Sequence, residues 1–262
     1  MITLLNGERI TKPNLLEKMQ SDSYYYGHLG QYALSSSALK KLIEGPKAYQ
    51  ASLRKSENSQ VLRDGQLIHL SILEPRKLKD LVITEGTKAR KEFKEAVAEY
   101  GEHKVYTQSE MESAYWIADA VKSNPTSSFL LENCDYEVPN AAMIEGLPFR
   151  AKADAITKDG STIIDVKTTA SIGEEGEDFY WSARKFKYAL QAVLYMEIFG
   201  ATDFIFLVVD KGTREIGIFD CSEQFLDIGR MHIAKGIENY KKFFMSPDSE
   251  TLINNNVIRR TL

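Results

Sequence analysis

Cysteine is scarce: only Cys134 and Cys221 occur in 262 residues. That excludes a disulfide-dense scaffold, a four-cysteine zinc site and a four-cysteine iron–sulfur cluster. Two reduced core thiols in a cytoplasmic protein are the expectation. Long apolar runs are missing too. The longest, Phe204–Val209, falls far short of the ~20 residues of a membrane helix, so no membrane partner is expected. The opening MITLLNGERITK lacks the basic-then-apolar pattern of a secretory leader. Internal repeats, low-complexity tracts and Pro/Gly linkers are absent, which points to one domain over 1–262. There is no excess of positive charge: 33 basic against 37 acidic residues give −4, against a surface that coats nucleic acid everywhere. What remains is ordinary globular composition, 43% hydrophobic and 27% charged.

The charge is unevenly spread. Residues 36–94 hold 13 Lys/Arg and 7 Asp/Glu, which leaves the rest strongly acidic. Such a division suits a polyanion on one side and metal ions on the other, or simply solvated helices. Ile2–Leu5, Asn6-Gly7 and Arg9–Thr11 read as a hairpin with a primed two-residue turn. Residues 21–34 read as an aromatic loop. Ser35–Ser37 then cap a helix through ALKKLI, which Gly45-Pro46 ends before a second short helix through Tyr49 and Leu53. Leu62, Gln66, His69 and Leu73 share one helical face, and 87–100 and 109–123 are further amphipathic helices. The pattern changes near Asn133. Strands are predicted at 134–144, 148–157 and 161–167, a long helix over 179–199, strands at 204–209 and 215–219, and a last helix over 223–245. The tail INNNVIRRTL reads as loose. The division is a mainly helical 1–130, a sheet core over 131–246 and a tail over 247–262, an α/β (α+β) class with a mixed central sheet and a helical N-terminal layer.

The chemistry-bearing stretch is Asp154 followed by Asp165-Val166-Lys167. With the turn at Asp159-Gly160, an antiparallel pair sets 154 and 165 nearly opposite. Asp165 and Lys167 are two apart on one strand and share a face. Two carboxylates and an ammonium thus converge. Like charges this close repel, and a hard divalent cation such as Mg²⁺ or Mn²⁺ relieves them. The tripeptide alone is weak, because an acid two residues before a base arises about five times by composition here. A salt-bridged hairpin would account for it.

The separated pieces together say more. YALSSSALKKLIEGPKAY (32–49), Gly65-x-x-x-His69 with Leu73-Glu74-Pro75, Gly146…Asp154…Asp165-x-Lys167-Thr168-Thr169 and Gln191-x-x-x-Tyr195 occur in order over about 32–195. This set resembles the PD-(D/E)xK nuclease superfamily, most of all RecB-type nucleases and the RecE (exonuclease VIII) family of phage recombination exonucleases. The resemblance implies a restriction-endonuclease-like sheet flanked by helices. It implies that His69, Asp154, Asp165 and the Val166 carbonyl hold one or two Mg²⁺ ions, with Mn²⁺ as a substitute, and that Lys167 is the catalytic lysine. Gln191 and Tyr195 would lie beside the scissile phosphate. Glu137 stands where related nucleases often keep an additional acid. The first acid here follows Ala153 rather than proline and the second is Asp rather than Glu, as both are in the RecB-like branch.

The implied activity is Mg²⁺-dependent degradation of linear double-stranded DNA, 5′→3′, leaving 3′ overhangs for recombination. The implied partners are duplex DNA ends, a RecT-type single-strand annealing protein and further copies in a ring trimer or tetramer. An endonuclease, a single-strand nuclease, or an inactive DNA-end-binding protein are the alternatives. His69 on an apolar face also fits a core histidine bonded to a backbone carbonyl. Ser35, Ser36, Ser37, Lys40 and Lys41 fit a capped helix or a seat for a 5′-phosphate, and Lys187 shares a stripe with Arg184, Tyr188 and Gln191. Tyr24–Tyr26, Trp116 and Trp181 fit ordinary packing or base stacking. His28, His103 and His232 read as surface residues.

Overall fold

The computed structural model describes residues 1–54, 60–257 and 259. The chain opens with strands β1 (Ile2–Thr3) and β2 (Arg9–Ile10), helix α1 (Lys12–Lys18), a π-helical turn over Ser23–His28 and α2 (Leu29–Tyr32). Helices α3 (Ser36–Glu44), α4 (Pro46–Arg54) and α5 (Gln60–Leu73) follow. Next come β3 (Val82–Thr84), α6 (Lys91–Tyr100), β4 (Val105–Thr107), α7 (Gln108–Ser123) and α8 (Pro125–Glu132). The second half is β5 (Cys134–Ile144), β6 (Leu147–Thr157), β7 (Thr162–Thr169), α9 (Glu177–Lys185), α10 (Tyr188–Phe199), β8 (Asp203–Asp210), β9 (Ile216–Asp220), α11 (Glu223–Phe244) and α12 (Ser249–Asn254).

Five strands make a mixed sheet in the order β5-β6-β7-β8-β9. All neighbours are antiparallel except β7 and β8, whose parallel register runs from Thr162↔Asp203 to Thr169↔Asp210. A parallel pair needs a crossover, and α9 and α10 supply it. The centre of the sheet is buried on both faces, so β8 reads as a near-continuous apolar run, and β7 is apolar at Ile163, Ile164 and Val166. Their side chains nevertheless alternate. Ile164, Val166, Leu207 and Val209 pack under Leu67, Ile68 and Ile72 of α5 and Ile117 and Val121 of α7. Ile163, Phe204, Phe206 and Val208 pack against Phe179, Ala183 and Ala192 of α9 and α10. Each fully buried side chain of this kind stabilises the fold by about 1.5–3 kcal/mol. Caps fix the helix starts: the Ser35 hydroxyl accepts from the Ala38 N–H at 3.2 Å, and Thr107 and Glu110 close a reciprocal capping box on α7.

The mixed α/β class is as expected, and so are the three consecutive strands after Asn133 and the last helix. Several details differ. The Gly7 N–H reaches the Leu4 carbonyl at 2.9 Å with Gly7 at φ +86°, a three-residue loop ending on a left-handed glycine rather than a primed two-residue turn. Residues 21–34 coil into Ser23–His28 and α2, because Tyr25 and Leu29 find a core with Leu15 and Met19. On α5 the buried face is Leu67, Ile68, Ser71 and Ile72, whereas Leu62 is 44% exposed. The helix expected over 179–199 breaks at Phe186-Lys187. The tail is partly ordered: Ile253 on α12 is buried, while residues 258 and 260–262 lie outside the described residues. The short parallel pair β3–β4 and helix α8 were not foreseen. No described helix is long and apolar enough to cross a membrane. Both cysteines are free, Cys134 buried and Cys221 half-buried.

Candidate metal centre and catalytic residues

Pairing between β6 and β7 is brief: Ala155↔Ile164 and Ile156↔Ile163. The same register carried one step further puts Asp154 opposite Asp165. There the strands part, and the Asp154 carboxylate fills the gap by accepting from the Val166 N–H at 2.8 Å. A ladder hydrogen bond is thus exchanged for a side-chain one, which satisfies the backbone and opens room beside it. On the other side of β6 the long β5–β6 ladder lapses at one step only, where Glu137 faces Asp154. Glu137 has φ +51°, left-handed backbone in a non-glycine residue. Glu137, Asp154 and Asp165 therefore occupy one lateral row across three strands.

His69 comes from α5, on a different layer. One ligand atom each from His69, Glu137 and Asp154 lies within 4.8 Å of the others. His69 Nε2 is 3.6 Å from Asp154 Oδ2 and 2.7 Å from the Val166 carbonyl oxygen. Both readings of this histidine are thus realised: it bonds a backbone carbonyl and borders the acids. Asp165, 1% exposed, accepts from Gln191 Nε2 at 2.6 Å and pairs with Lys167 Nζ at 2.5 Å. Lys152 Nζ bridges Glu137 at 3.2 Å and Asp22 at 2.9 Å. The ligand atoms that lie together are two carboxylates and an imidazole, with Asp165 next along the same row; the carboxylates suit a hard divalent cation such as Mg²⁺ or Mn²⁺, and the imidazole is a borderline donor. Asp165 Oδ2 is buried, and the group facing it is the Lys167 ammonium. The Val166 carbonyl is engaged by His69, so ligation by either would require that bond to yield.

The electrostatics follow from burial. Desolvation is the largest cause lifting Asp154 to about 7; the Asp165 and Glu137 charges add, while His69 and Lys167 oppose. Burial alone would lower Lys167, but the charges of Asp165 and Asp154 overturn it and its pKa is raised. Tyr195 is pushed well above its ordinary value, by burial first and then by Tyr25 and the two aspartates. Its ring packs on Phe199 and Phe204, so it closes the floor of the site rather than lining an open stripe.

The residues expected to hold DNA separate. Ser35 spends its hydroxyl on the α3 cap, Ser36 is buried, Ser37 is exposed, and Lys41 pairs with Glu44 at 3.3 Å. Lys40 turns inward and its Nζ lies 5.1 Å from the Tyr188 ring centre. Lys167 Nζ lies 5.0 Å from the same ring. Burial, then the Lys167 and Lys187 charges, lowers Lys40 to about 8 against the pull of Asp165. Within the basic stretch 36–94, Lys77 pairs with Glu74 at 2.7 Å and Lys88 with Glu110 at 2.7 Å. Of the histidines read as surface residues, His28 keeps 35% of its side chain exposed, and His232 is drawn inward. His28 bonds Glu8 at 3.1 Å and stacks on Tyr24. His232 is half-buried near Lys40 and Lys187, its Nδ1 without a hydrogen bond. Lys152 was missed altogether. Its one signal was alternation with Asp154 on a strand, which is too common to single out.

The same architecture occurs in a solved structure described as a "putative exonuclease" from Eubacterium rectale, 17% identical, with a TM-score of 0.63 over 98% of this chain and 97% of that one. At that identity the likeness shows a shared fold. A phage-related exonuclease from Haemophilus somnus is 16% identical over 84% of this chain and all of its own, with a TM-score of 0.35. No curated protein matches. A family model matches residues 35–249, which contain every acid, lysine and glutamine of the centre, and the chain belongs to that family, the PDDEXK-like domain of unknown function DUF3799.

Proposed function

We propose that the chain is a divalent-metal-dependent exodeoxyribonuclease that degrades linear double-stranded DNA 5′→3′ and leaves 3′ overhangs for recombination. The observation that carries this reading is the convergence of Asp154, Asp165 and Lys167 on one gap between β6 and β7, with His69 and Glu137 at its edge. A binding protein has no need of buried acids facing phosphate. When bound, a divalent cation held by Asp154, Asp165, Glu137 and His69 would supply Lewis acidity for a phosphoryl oxygen and offset the acids' mutual repulsion. Lys167, kept protonated by its acidic neighbours, donates to a phosphate oxygen and offsets the charge that builds there, and the proton of the attacking water passes to solvent rather than to the lysine. Gln191 fixes the Asp165 carboxylate by its 2.6 Å bond. Lys40 and Lys187 offer positive charge for the strand's phosphates, a 5′-phosphate among them. A RecT-type annealing protein and a ring of like subunits belong to the same reading.

Digestion of duplexes labelled at the 5′ or 3′ end, with and without a 5′-phosphate and beside a covalently closed circle, tests it in Mg²⁺. Mononucleotides released from the 5′ label, no cut in the circle, and loss of activity in Asp165→Ala and Lys167→Ala are expected. Undiminished degradation by either variant refutes the assignment. Cleavage of the circle would make the protein an endonuclease.

A further inference from the structure

Phe186 and Tyr188 form a two-ring step leading away from Lys167. In an unbroken helix, residues two apart do not face each other. Here α9 ends at Lys185, Lys187 takes φ +52° and ψ +48°, and α10 begins at Tyr188. The break sets the two rings 5.9 Å apart with planes 32° apart. A lysine in the left-handed region is sparsely populated backbone, of the kind that gathers at functional sites. The inner ring is anchored, with Phe206 at 5.6 Å, Phe179 at 6.1 Å and the ammonium groups of Lys167 and Lys40 beside it. The outer ring is 51% exposed, with Lys185 Nζ 5.6 Å from its centre.

We propose that Phe186 is the stacking seat for one unpaired or terminal nucleobase of the DNA strand whose phosphate lies at Asp165–Lys167. The proposal rests on the nuclease reading above and adds a base-binding site to it. Three features argue for this occupant. An exposed ring flanked by a cation suits a base, and any base, since every base has a π face. Lys40, Lys185 and Lys187 supply the charge that a strand running past the ring requires. The distances also match: the steps of 5.0 Å and 5.9 Å put the Phe186 ring within about 11 Å of the catalytic ammonium, or about three nucleotides at ~3.4 Å per nucleotide. A paired internal base has no free face, so the seat selects a frayed end.

The test uses the full chain in EDTA, so that binding is read without turnover, and 5′-phosphorylated duplexes carrying 2-aminopurine at the first, second, third or sixth nucleotide. Wild type and Phe186→Trp should alter the fluorescence at one of the first three positions. Phe186→Ala and Phe186→Leu should lose that signal and bind about 10-fold more weakly. An abasic residue at the responsive position should bring wild type and Phe186→Ala to equal affinity. An unchanged signal in Phe186→Ala, or an undiminished penalty on abasic DNA, overturns the seat. If Phe186→Ala does not fold, wild type decides alone: equal affinity for intact DNA and for DNA made abasic at each of the three positions overturns it. Wild type that cleaves labelled ends while Phe186→Ala behaves identically sinks the seat and leaves the nuclease standing. Wild type that neither binds nor cleaves DNA sinks both.

Discussion

Replacing Asp154 by asparagine should make the metal-free protein more stable at alkaline pH, although it removes a residue of the candidate centre. Asn keeps an acceptor for the Val166 N–H, now 2.8 Å from Asp154 Oδ2, and carries no charge. The wild-type carboxyl is lifted from 3.8 to about 7, burial being the first cause. Between those values the unfolded chain has released its proton and the folded chain keeps it. The folded state binds more protons, so stability is full below 3.8 and falls as pH rises to about 7. Each pH unit in that window is worth ~1.4 kcal/mol, which puts the ceiling near 4 kcal/mol. The expected effect is about 2–4 kcal/mol. The assay is unfolding of both proteins in EDTA at pH 4 and pH 8. The two should be nearly equal at pH 4, and the variant should melt roughly 5–10 °C higher at pH 8. Saturating Mn²⁺ should close the gap by stabilising wild type, by about 2.7 kcal/mol at a hundredfold excess over Kd. A gap of the same size at both pH values, or a variant weaker than wild type at pH 8, refutes the reasoning.

Two further outcomes follow from backbone geometry. Lys187→Gly removes a left-handed cost of ~1–2 kcal/mol and adds ~0.5–1 kcal/mol of unfolded-state freedom. Its denaturant midpoint should therefore rise by the equivalent of about 0.5–1 kcal/mol at constant slope, and a fall would show that φ +52° there is not strained. Gly229 is where α11 crosses α10. A Cβ there would overlap the Ala189 carbonyl and stand 2.7 Å from Val193 Cγ2, so Gly229→Ala should cost about 1–3 kcal/mol in chemical unfolding. Wild-type stability in that variant would mean the two helices are not in contact there.

The sheet was legible because its strands carry their own signals: Asp159-Gly160 marks a turn, and Phe204–Val209 is too short and β-branched for a helix. The Asp154 and Asp165 register followed from the turn between them. The α9–α10 break was not legible, since Phe179–Phe199 keeps a helical hydrophobic spacing and nothing in Phe-Lys-Tyr demands a left-handed lysine. Tertiary packing of Phe179 and Tyr188 against Phe206 fixes it. On α5 Leu73 is buried as its period suggests, but Leu62 is exposed although it fits the period as well as Leu67 and Ile72 do, and only the underside of the sheet chooses between them. Lys152 and His232 depend on contacts between elements far apart in the chain, which no local pattern encodes.

Charge balance within the centre decides where a cation would act most strongly. Asp165 is already compensated, one oxygen by Gln191 and the other by Lys167. Glu137 is compensated by Lys152. Asp154 has a backbone N–H, and a histidine 3.6 Å away that carries charge only when protonated. It is the acid without a lysine beside it, and its carboxyl is lifted to about 7, burial being the first cause. The greatest gain from a divalent ion therefore lies at the Asp154 corner with His69 and Glu137, not midway between the two aspartates. Under the proposed nuclease reading, a cation that drew Asp165 away from Lys167 would leave that ammonium free to face a phosphate, so that binding the cation and freeing the lysine would be one electrostatic exchange.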